Sequence, residues 1–409
     1  MIIVAVGFLI IASVCAAVLT VAVKNVAFRR NWVGQAMPHH GHDGPIPRLG
    51  GISVFVTVLV VGSAMAFLPV PWTAAESARL IAVFVAGGIV FAIGLWDDFS
   101  PIFPLGKAVV EVVAAVVLYL GGFRIESLPP ITGSLPALLS FTLTVLWVLG
   151  ITNAFNLIDG LDGLASGSAL ISSIALGILF TTAGRPEFAV LSLVLAGALA
   201  GFLKFNFSPA VIFLGDCGSL FVGFMMSALG LMLFSCIKSP AVTLIPLLVF
   251  GLPVLDTVLA IVRRTLKRQP IYMPDREHMH HQLLARGFSV SGAAILLYGI
   301  SAFFCATGVL LVSVPDHSTL LLSLPLVCFA SCFVGFGYHK YVPELQKLSS
   351  IEIRAMRDER GDRALKPRRL DTAKRSRINK EQQAAEPALS GMARGTRERQ
   401  TTGVAFSDD

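Results

Sequence analysis

The chain has 409 residues, of which 55% are hydrophobic and only 14% are charged. Soluble domains contain about 25% charged residues, so the composition excludes an ordinary soluble protein. The formal net charge is +7, and half of the Lys and Arg residues follow Gly337 in a polar C-terminal segment. The sequence therefore predicts an all-α, polytopic membrane protein with a basic tail.

Runs of roughly 17–25 apolar residues, the length of a helix that crosses a bilayer, predict about eleven transmembrane helices. In chain order they cover residues 2–23, 50–70, 79–96, 107–122, 136–155, 163–183, 187–203, 218–237, 240–262, 290–313 and 318–338. Residues 341–409 are charged and poor in aromatic side chains, which indicates a disordered tail after a membrane-embedded domain at 1–340.

The distribution of Lys and Arg predicts the orientation of the helices, because cytoplasmic loops are enriched in these residues. One set of loops contains twelve Lys and Arg residues between Lys24 and Arg286, and the opposite set contains four. We therefore place the N-terminus outside, and we place the basic loops and the tail in the cytoplasm.

Five polar clusters interrupt the apolar sequence, all at helix ends or loops on the predicted cytoplasmic side. They are PHHGHDGPIPRLGG (38–51), GLWDDFSPIFPLGK (94–107), NAFNLIDGLDGLASG (153–167), FNFSPAVIFLGDCGS (205–219) and PDREHMHHQLL (274–284). Although they are far apart in sequence, we expect them to meet in one cavity that opens to the cytoplasm.

Five aspartates in these clusters indicate a site for a hard divalent cation: Asp97, Asp98, Asp159, Asp162 and Asp216. An ionised Asp at the bilayer centre costs roughly 2.5–3.5 kcal/mol, and several together repel one another unless a cation intervenes. Oxygen ligands without thiolates favour Mg²⁺ or Mn²⁺. Any single Asp of this kind could equally be a helix cap or a turn residue.

Polar residues recur at every third position from Asn153 through Asn156 and Asp159 to Asp162. A row with this spacing drifts around a straight α-helix, so the side chains converge on one ligand only if the helix breaks. Gly160 and Gly163 permit such a break. Irregular backbone at membrane depth lines a cavity, so we interpret the row as a wall of the site.

Cationic and imidazole side chains complete the predicted site. Lys107 follows Asp97 by ten residues and can face the same cavity from the start of the next helix. The loop after residue 262 is basic and ends with His278, His280 and His281, which suit contacts to phosphate or sugar, or proton transfer. His278 and His281 are three residues apart and are expected to share a helical face. A zinc site is the weaker interpretation, because no Cys or HExxH pattern accompanies them.

Two further acidic residues, Glu111 and Asp256, lie inside apolar spans. We expect each to pair with a neighbour in the helix bundle, but the sequence does not name that neighbour.

In this order, the clusters resemble the polyprenyl-phosphate N-acetylhexosamine-1-phosphate transferases (glycosyltransferase family 4), which include the phospho-MurNAc-pentapeptide translocases. The resemblance covers roughly residues 1–340 and rests on DD at 97–98, NxxNxxDGxDGLA at 153–165, FxGDxGS at 213–219 and DRxHxHH at 275–281. It implies a Mg²⁺-dependent reaction in which undecaprenyl phosphate attacks the β-phosphorus of a cytoplasmic UDP-N-acetylhexosamine. A lipid-diphospho-sugar forms and UMP leaves.

The resemblance also implies residue roles. The implied metal and pyrophosphate ligands are Asn156 and Asp216. The residues with an implied catalytic role near the acceptor phosphate, the nucleotide or the sugar are Asp97, Asp98, Lys107, Asp159, Asp162, His278, His280 and His281. Substrate contacts are assigned to Asn153, Asn156, Phe213 and Arg276, with Phe213 placed to stack on uracil.

The histidine loop indicates the branch of the family. The peptidoglycan translocases have three consecutive histidines, whereas HMHH here resembles the transferases that start lipopolysaccharide O-antigen, enterobacterial common antigen or teichoic acid linkage units. We therefore expect UDP-GlcNAc as the donor, with GalNAc, QuiNAc and FucNAc open, in a bacterial cytoplasmic membrane. The family often has a basic pair in the first inner loop, where this chain has His39, His40 and Gly41. The sequence does not indicate what replaces the contact that the basic pair makes in the family.

Two alternative functions are a phospho-MurNAc-pentapeptide translocase and an ion-coupled transporter. A transporter should place polar residues near the midplane and show two related halves, but no internal repeat is visible and the polar groups crowd one face. The sequence leaves open the sugar, the downstream polymer and the oligomeric state, a homodimer included. No nucleic-acid partner is expected.

Overall fold

The computed structural model describes residues 2–33, 45–67, 74–128, 133–236, 244–266, 268–270 and 277–313. Within those ranges the chain is helical and no β-strand occurs, so the prediction of an all-α protein is confirmed. The predicted span at 318–338, the predicted tail at 341–409, the histidines at 39–42 and Arg276 lie outside the described residues.

Twelve α-helices lie within the described ranges. They are α1 Ile2–Arg29, α2 Gly51–Ser63, α3 Ala74–Phe99, α4 Pro104–Leu120, α5 Ala137–Leu157, α6 Leu164–Thr182, α7 Pro186–Asn206, α8 Gly215–Cys236, α9 Leu244–Val249, α10 Gly251–Leu266, α11 Met279–Ala285 and α12 Val290–Ser313. A 3₁₀ turn, Ala64–Phe67, extends α2. Among the described helices, seven are long and apolar enough to cross a membrane.

Nine of the predicted spans correspond to one described helix each, but the span at 240–262 does not. It is divided into α9 and α10. Pro253 has no N–H to donate to the carbonyl of Val249, so the helical hydrogen bond at this point is missing. The carbonyl of Val249 instead accepts hydrogen bonds from Ser172 Oγ at 2.8 Å and Cys305 Sγ at 3.3 Å. The total of about eleven helices stays a prediction, because one span lies outside the described ranges.

Helix α8 forms the centre of the described bundle. Every residue from Cys217 to Leu233 is buried, and α2, α3, α5 and α6 all pack against it. A helix that is apolar on all sides is buried in a protein core or in a membrane, and here other helices surround α8 along most of its length. The position of α8 is therefore determined by its neighbours, and so is the position of its first residues, Gly215 and Asp216.

Helices α1 and α7 pack closely through small residues. A Cβ atom on Gly201 would lie 2.1 Å from the carbonyl oxygen of Ser13, and one on Gly197 would lie 2.2 Å from that of Leu9. These two glycines are four residues apart and face the same side of α7, the arrangement that lets membrane helices approach closely. Only glycine fits these positions without moving the helix backbones.

We predict that Gly201→Ala destabilises the protein by about 1–3 kcal/mol, because the added methyl group meets backbone rather than a side chain that can move. The matched control is Gly88→Ala in α3, where a Cβ atom meets nothing within 4 Å. The measurement is the thermal unfolding temperature of the purified protein in detergent. Equal unfolding temperatures for Gly201→Ala and the control would contradict the close packing of α1 and α7.

Candidate active site

The polar row of the third cluster lies where one helix ends and the next begins. Helix α5 ends at Leu157 and α6 begins at Leu164, and Gly163 between them has φ +76°. The predicted break in the helix is therefore confirmed. The turn is held from two sides, because Tyr298 donates its hydroxyl to the carbonyl of Gly163 at 2.6 Å and Asp162 Oδ2 accepts the Ala210 N–H at 3.0 Å.

Asp98 caps the N-terminus of α8. Its Oδ1 accepts the Asp216 N–H at 2.8 Å and its Oδ2 accepts the Cys217 N–H at 2.9 Å. A carboxylate is favourable here, because the first amides of a helix have no partner within the helix and carry partial positive charge. Gly215 has φ +75°, and a Cβ atom on it would lie 1.8 Å from the Arg48 carbonyl oxygen. Both oxygens of Asp98 are thus engaged in orienting Asp216.

Lys107 links the second and fourth clusters. Its ammonium lies 2.7 Å from Asp97 Oδ2 and 3.3 Å from Asp216 Oδ2. The side chain of Asp97 is 8% exposed and that of Asp216 is 34% exposed, so the Asp216 end of the bridge is the accessible one. Asp97 is further held by the N–H of Ile102, 2.6 Å from its Oδ1. One cation therefore joins α3, α4 and α8.

The two asparagines of the polar row have different partners. Asn156 donates through Nδ2 to Asp216 Oδ1 at 2.7 Å and to Ser219 Oγ at 2.8 Å. Asn153, almost one helical turn earlier, donates to Glu111 Oε2 at 2.5 Å and to the carbonyl of Leu149 at 2.9 Å. Asn156 is thus part of the Asp216 network, whereas the amide of Asn153 connects α5 to α4. The expectation that Glu111 pairs within the bundle is confirmed.

Asp159 lies in the turn between α5 and α6, close to other carboxylates. Burial raises the pKa of its carboxyl well above the ordinary range, and the negative charges of Asp216, Asp98 and Asp162 raise it further. The structure therefore brings four of the five predicted aspartates into one electrostatic neighbourhood, and Asp97 joins it through Lys107.

The oxygen atoms in this neighbourhood are of the type that a hard divalent cation binds. The carboxylates of Asp216 and Asp159 and the carboxamide oxygen of Asn156 are the oxygen donors that Mg²⁺ and Mn²⁺ prefer. Within the described ranges, no three His, Cys, Asp or Glu side chains form a group that could hold a metal by themselves. A cation bound here would thus need phosphate oxygens and water to complete its coordination, as Mg²⁺ commonly does.

The histidine loop is anchored to α10 and contacts the polar turn. His278 Nδ1 lies 2.7 Å from Asp256 Oδ2, and Asp256 Oδ1 accepts the Met279 N–H at 2.8 Å. The expectation that Asp256 pairs with a neighbour is therefore confirmed. A Cβ atom on Gly160 would lie 2.6 Å from His280 Nε2, so the ring of His280 lies against the turn between α5 and α6.

The expectation that His278 and His281 share a helical face is wrong. Helix α11 begins at Met279 and His278 is its N-cap residue, with ψ 154°, so the spacing of three does not place these two side chains on one turn of helix. The ring of His278 is instead nearly parallel to that of His280, with centroids 5.9 Å apart, and His281 lies 4.1 Å from His280.

Phe213 belongs to a segment that is tied to the first inner loop. Its N–H donates to the carbonyl of Pro47 at 2.8 Å and its own carbonyl accepts the Gly50 N–H at 2.9 Å. The side chain is half-buried. Its proposed stacking on a base stays a prediction.

The described parts of the five clusters come together at one end of the helix bundle, as the sequence predicts.

Two residues that support this site were not predicted from the sequence. Tyr298 braces the turn at Gly163, and a single tyrosine hydroxyl in the apolar span of α12 is a signal that could have indicated a hydrogen bond. Ser219 is within the FxGDxGS motif, but its bond to Asn156 depends on how α5 packs on α8.

Comparison with known proteins agrees with these observations. A model of glycosyl transferase family 4 matches residues 80–234. A Bacillus subtilis (strain 168) protein named probable undecaprenyl-phosphate N-acetylglucosaminyl 1-phosphate transferase is 34% identical over 316 residues, which cover 76% of this chain and 86% of the relative. A Mycolicibacterium smegmatis decaprenyl-phosphate N-acetylglucosaminephosphotransferase is 37% identical over 313 residues, covering 70% and 77% of the two chains.

A more distant relative has the same kind of name. The Escherichia coli (strain K12) undecaprenyl-phosphate alpha-N-acetylglucosaminyl 1-phosphate transferase is 28% identical over 305 residues, which cover 73% of this chain and 80% of the relative. The family model, the extent of these matches and the convergence of the motifs at one end of the bundle all point the same way. The chain belongs to glycosyl transferase family 4, the polyprenyl-phosphate N-acetylhexosamine-1-phosphate transferases.

Proposed function

We propose that this protein transfers N-acetylglucosamine 1-phosphate from UDP-GlcNAc to undecaprenyl phosphate and releases UMP. The single observation that supports this most directly is the Asp97–Lys107–Asp216–Asn156 network, a cation between carboxylates at the end of a membrane-embedded helix bundle. We take the sugar and the class of lipid acceptor from the names of the relatives. The reaction would be the first membrane step of a cell-surface polysaccharide.

We also propose that the protein lies in a bacterial inner membrane and that its site faces the cytoplasm. The basic-rich loops predicted to be cytoplasmic include those that carry Lys107, Lys204 and Arg263, and the clustered motifs lie at the same helix ends. A nucleotide sugar is soluble and a polyprenyl phosphate is anchored in lipid, so a site at the membrane surface gives both substrates access.

Among the described residues, Lys107 is well placed to bind phosphate. Its ammonium already bridges Asp97 and Asp216, and the accessible side of that bridge is at Asp216. A phosphate oxygen would replace one carboxylate oxygen as the partner of the ammonium, so the positive charge would be offered to the substrate without moving far. Preorganised charge of this kind accounts for much of the catalysis of phosphoryl transfer.

The aspartates divide into groups with different tasks. Asp216, Asp159 and Asn156 would hold Mg²⁺, which when bound supplies charge neutralisation on the pyrophosphate and the leaving UMP. Asp98 positions Asp216 through the α8 amides. Asp97 orients Lys107. An ionised prenyl phosphate is already a nucleophile, so no residue has to remove a proton from it.

The transporter alternative is not supported by this arrangement. The charged network that connects several described helices lies at one end of the bundle rather than at its middle. Of the two enzymatic alternatives, the HMHH loop favours the GlcNAc transferase over the peptidoglycan translocase.

The deciding experiment offers radiolabelled UDP-GlcNAc, UDP-GalNAc and UDP-MurNAc-pentapeptide separately to the purified full-length protein with undecaprenyl phosphate. We expect UDP-GlcNAc to give a lipid-soluble labelled product and one UMP for each sugar transferred. A product formed mainly from UDP-MurNAc-pentapeptide would assign the translocase function instead. Transfer of sugar with release of UDP rather than UMP would exclude a sugar-1-phosphate transferase.

Asp216→Asn should lower kcat by at least about 100-fold, because the amide keeps the shape of the side chain but loses the charge proposed to hold the cation. The same variant should bind Mn²⁺ more weakly, measured by electron paramagnetic resonance, and chelation of divalent metal should stop the wild-type reaction. Glu126→Gln is the control, since Glu126 is exposed and pairs with Arg124 at the other end of α4. Normal turnover of Asp216→Asn, or full wild-type turnover in EDTA, would contradict the metal proposal.

Lys107→Met should lower kcat/KM by about 100-fold or more, because it removes the charge offered to phosphate and leaves Asp97 and Asp216 facing each other. Lys204→Met is the matched control, since Lys204 is exposed in the last turn of α7. Initial rates at varied donor and acceptor concentrations provide the measurement. If Lys107→Met and Lys204→Met have the same kinetics as the wild type, Lys107 does not bind phosphate.

A further inference from the structure

We infer that Asp256, a residue of α10 outside the five polar clusters, is a positioning residue that sets which ring nitrogen of His278 carries the proton. This inference rests on the proposed function for its kinetic consequences, but the geometry that it concerns can be measured without turnover.

Asp256 is buried and both of its carboxylate oxygens have partners in the histidine loop. The residue is 2% exposed. Its Oδ1 accepts the N–H of Met279 at 2.8 Å, and its Oδ2 lies 2.7 Å from His278 Nδ1. A buried carboxylate is costly unless its hydrogen bonds are satisfied. The side chain therefore joins α10 to the start of α11 at two points.

The contact to His278 determines the chemistry of that imidazole. An ionised carboxylate only accepts hydrogen bonds, so Nδ1 must carry the proton in this pair. Nε2, on the opposite side of the ring, is then the nitrogen that can accept a proton or a hydrogen bond.

His278 is connected to the turn between α5 and α6 through His280. The rings of His278 and His280 are nearly parallel, 7° apart in plane, with centroids 5.9 Å apart. His280 lies against Gly160 in the turn between α5 and α6, next to Asp159. A chain of contacts therefore runs from Asp256 through His278 and His280 to this turn.

Asp256→Asn separates positioning from simple anchoring. The amide oxygen can still accept the Met279 N–H, and the amide nitrogen can donate to His278 Nδ1. Both hydrogen bonds are retained, but the imidazole proton must move to Nε2 and the negative charge is lost. If Asp256 only anchors the loop, this exchange should change little. If Asp256 positions His278 as inferred, Nε2 carries the proton in this variant and can no longer accept a hydrogen bond.

We expect kcat for Asp256→Asn to fall by about tenfold or more, because Nε2 of His278 then carries the proton and can no longer accept a hydrogen bond. The KM for UDP-GlcNAc and the unfolding temperature should stay close to those of the wild type. Asp256→Glu should restore part of kcat because it restores a carboxylate. In a His278→Ala background, Asp256→Asn should have no further effect.

The matched control is Thr257→Val on the same helix. Among the described residues the Thr257 hydroxyl has no hydrogen-bond partner, so this variant should turn over like the wild type. A kcat within threefold of the wild type for Asp256→Asn, or a loss of the same size in the His278→Ala background, would overturn the inference.

A spectroscopic measurement tests the inference even if Asp256→Asn does not fold or the proposed substrates are wrong. The ¹⁵N shifts of histidine side chains in the wild-type protein distinguish the tautomers, and the His278 signals are assigned by their loss in His278→Ala. We expect the proton on Nδ1. A neutral His278 ring with its proton on Nε2 would overturn the inference, whereas failure of UDP-GlcNAc turnover alone would overturn only the proposed function.

Discussion

The carboxylate of Asp98 accepts hydrogen bonds from two amides in the first turn of α8, those of Asp216 and Cys217, and the position of Asp216 depends on this contact. Helix α8 is buried from Cys217 to Leu233, and the amides of its first turn have no partner within the helix. A carboxylate from α3 supplies both acceptors and favourable charge at the positive end of the helix. With α8 held in this way, Asp216 faces Lys107 and Asn156, and the remaining contacts of the site follow.

The apolar surroundings explain why the polar groups form one connected network. Inside a membrane, an unpaired polar group is much more costly than it is in water. Lys107 pairs with both Asp97 and Asp216, Asn156 joins Asp216 to Ser219, and Asn153 joins Glu111 to α5. The same contacts that make the charges tolerable also fix their geometry, so the stability of the bundle and the preorganisation of the site have a common cause.

The break between α9 and α10 gives the histidine loop its support. Pro253 interrupts the helical hydrogen bonds, and Ser172 and Cys305 bind the carbonyl that is left at Val249. Helix α10 is thereby a separate helix whose Asp256 contacts His278. A second irregular segment, the turn between α5 and α6, receives His280 at Gly160. Two interruptions of helical structure, far apart in sequence, therefore meet at the site.

The sequence by itself determined the class of protein, most of the spans, the break near Gly163, the family and the end of the bundle where the motifs lie. These features depend on the length of apolar runs and on local residue chemistry, which neighbouring helices change little. Only the tertiary structure decided the partner of each charge. Asp97 and Asp98 are adjacent in sequence, yet one pairs with Lys107 and the other caps α8, because successive side chains on α3 point to different neighbours. Likewise, Asp256 and His278 are 22 residues apart, and their contact depends on how α10 and α11 pack.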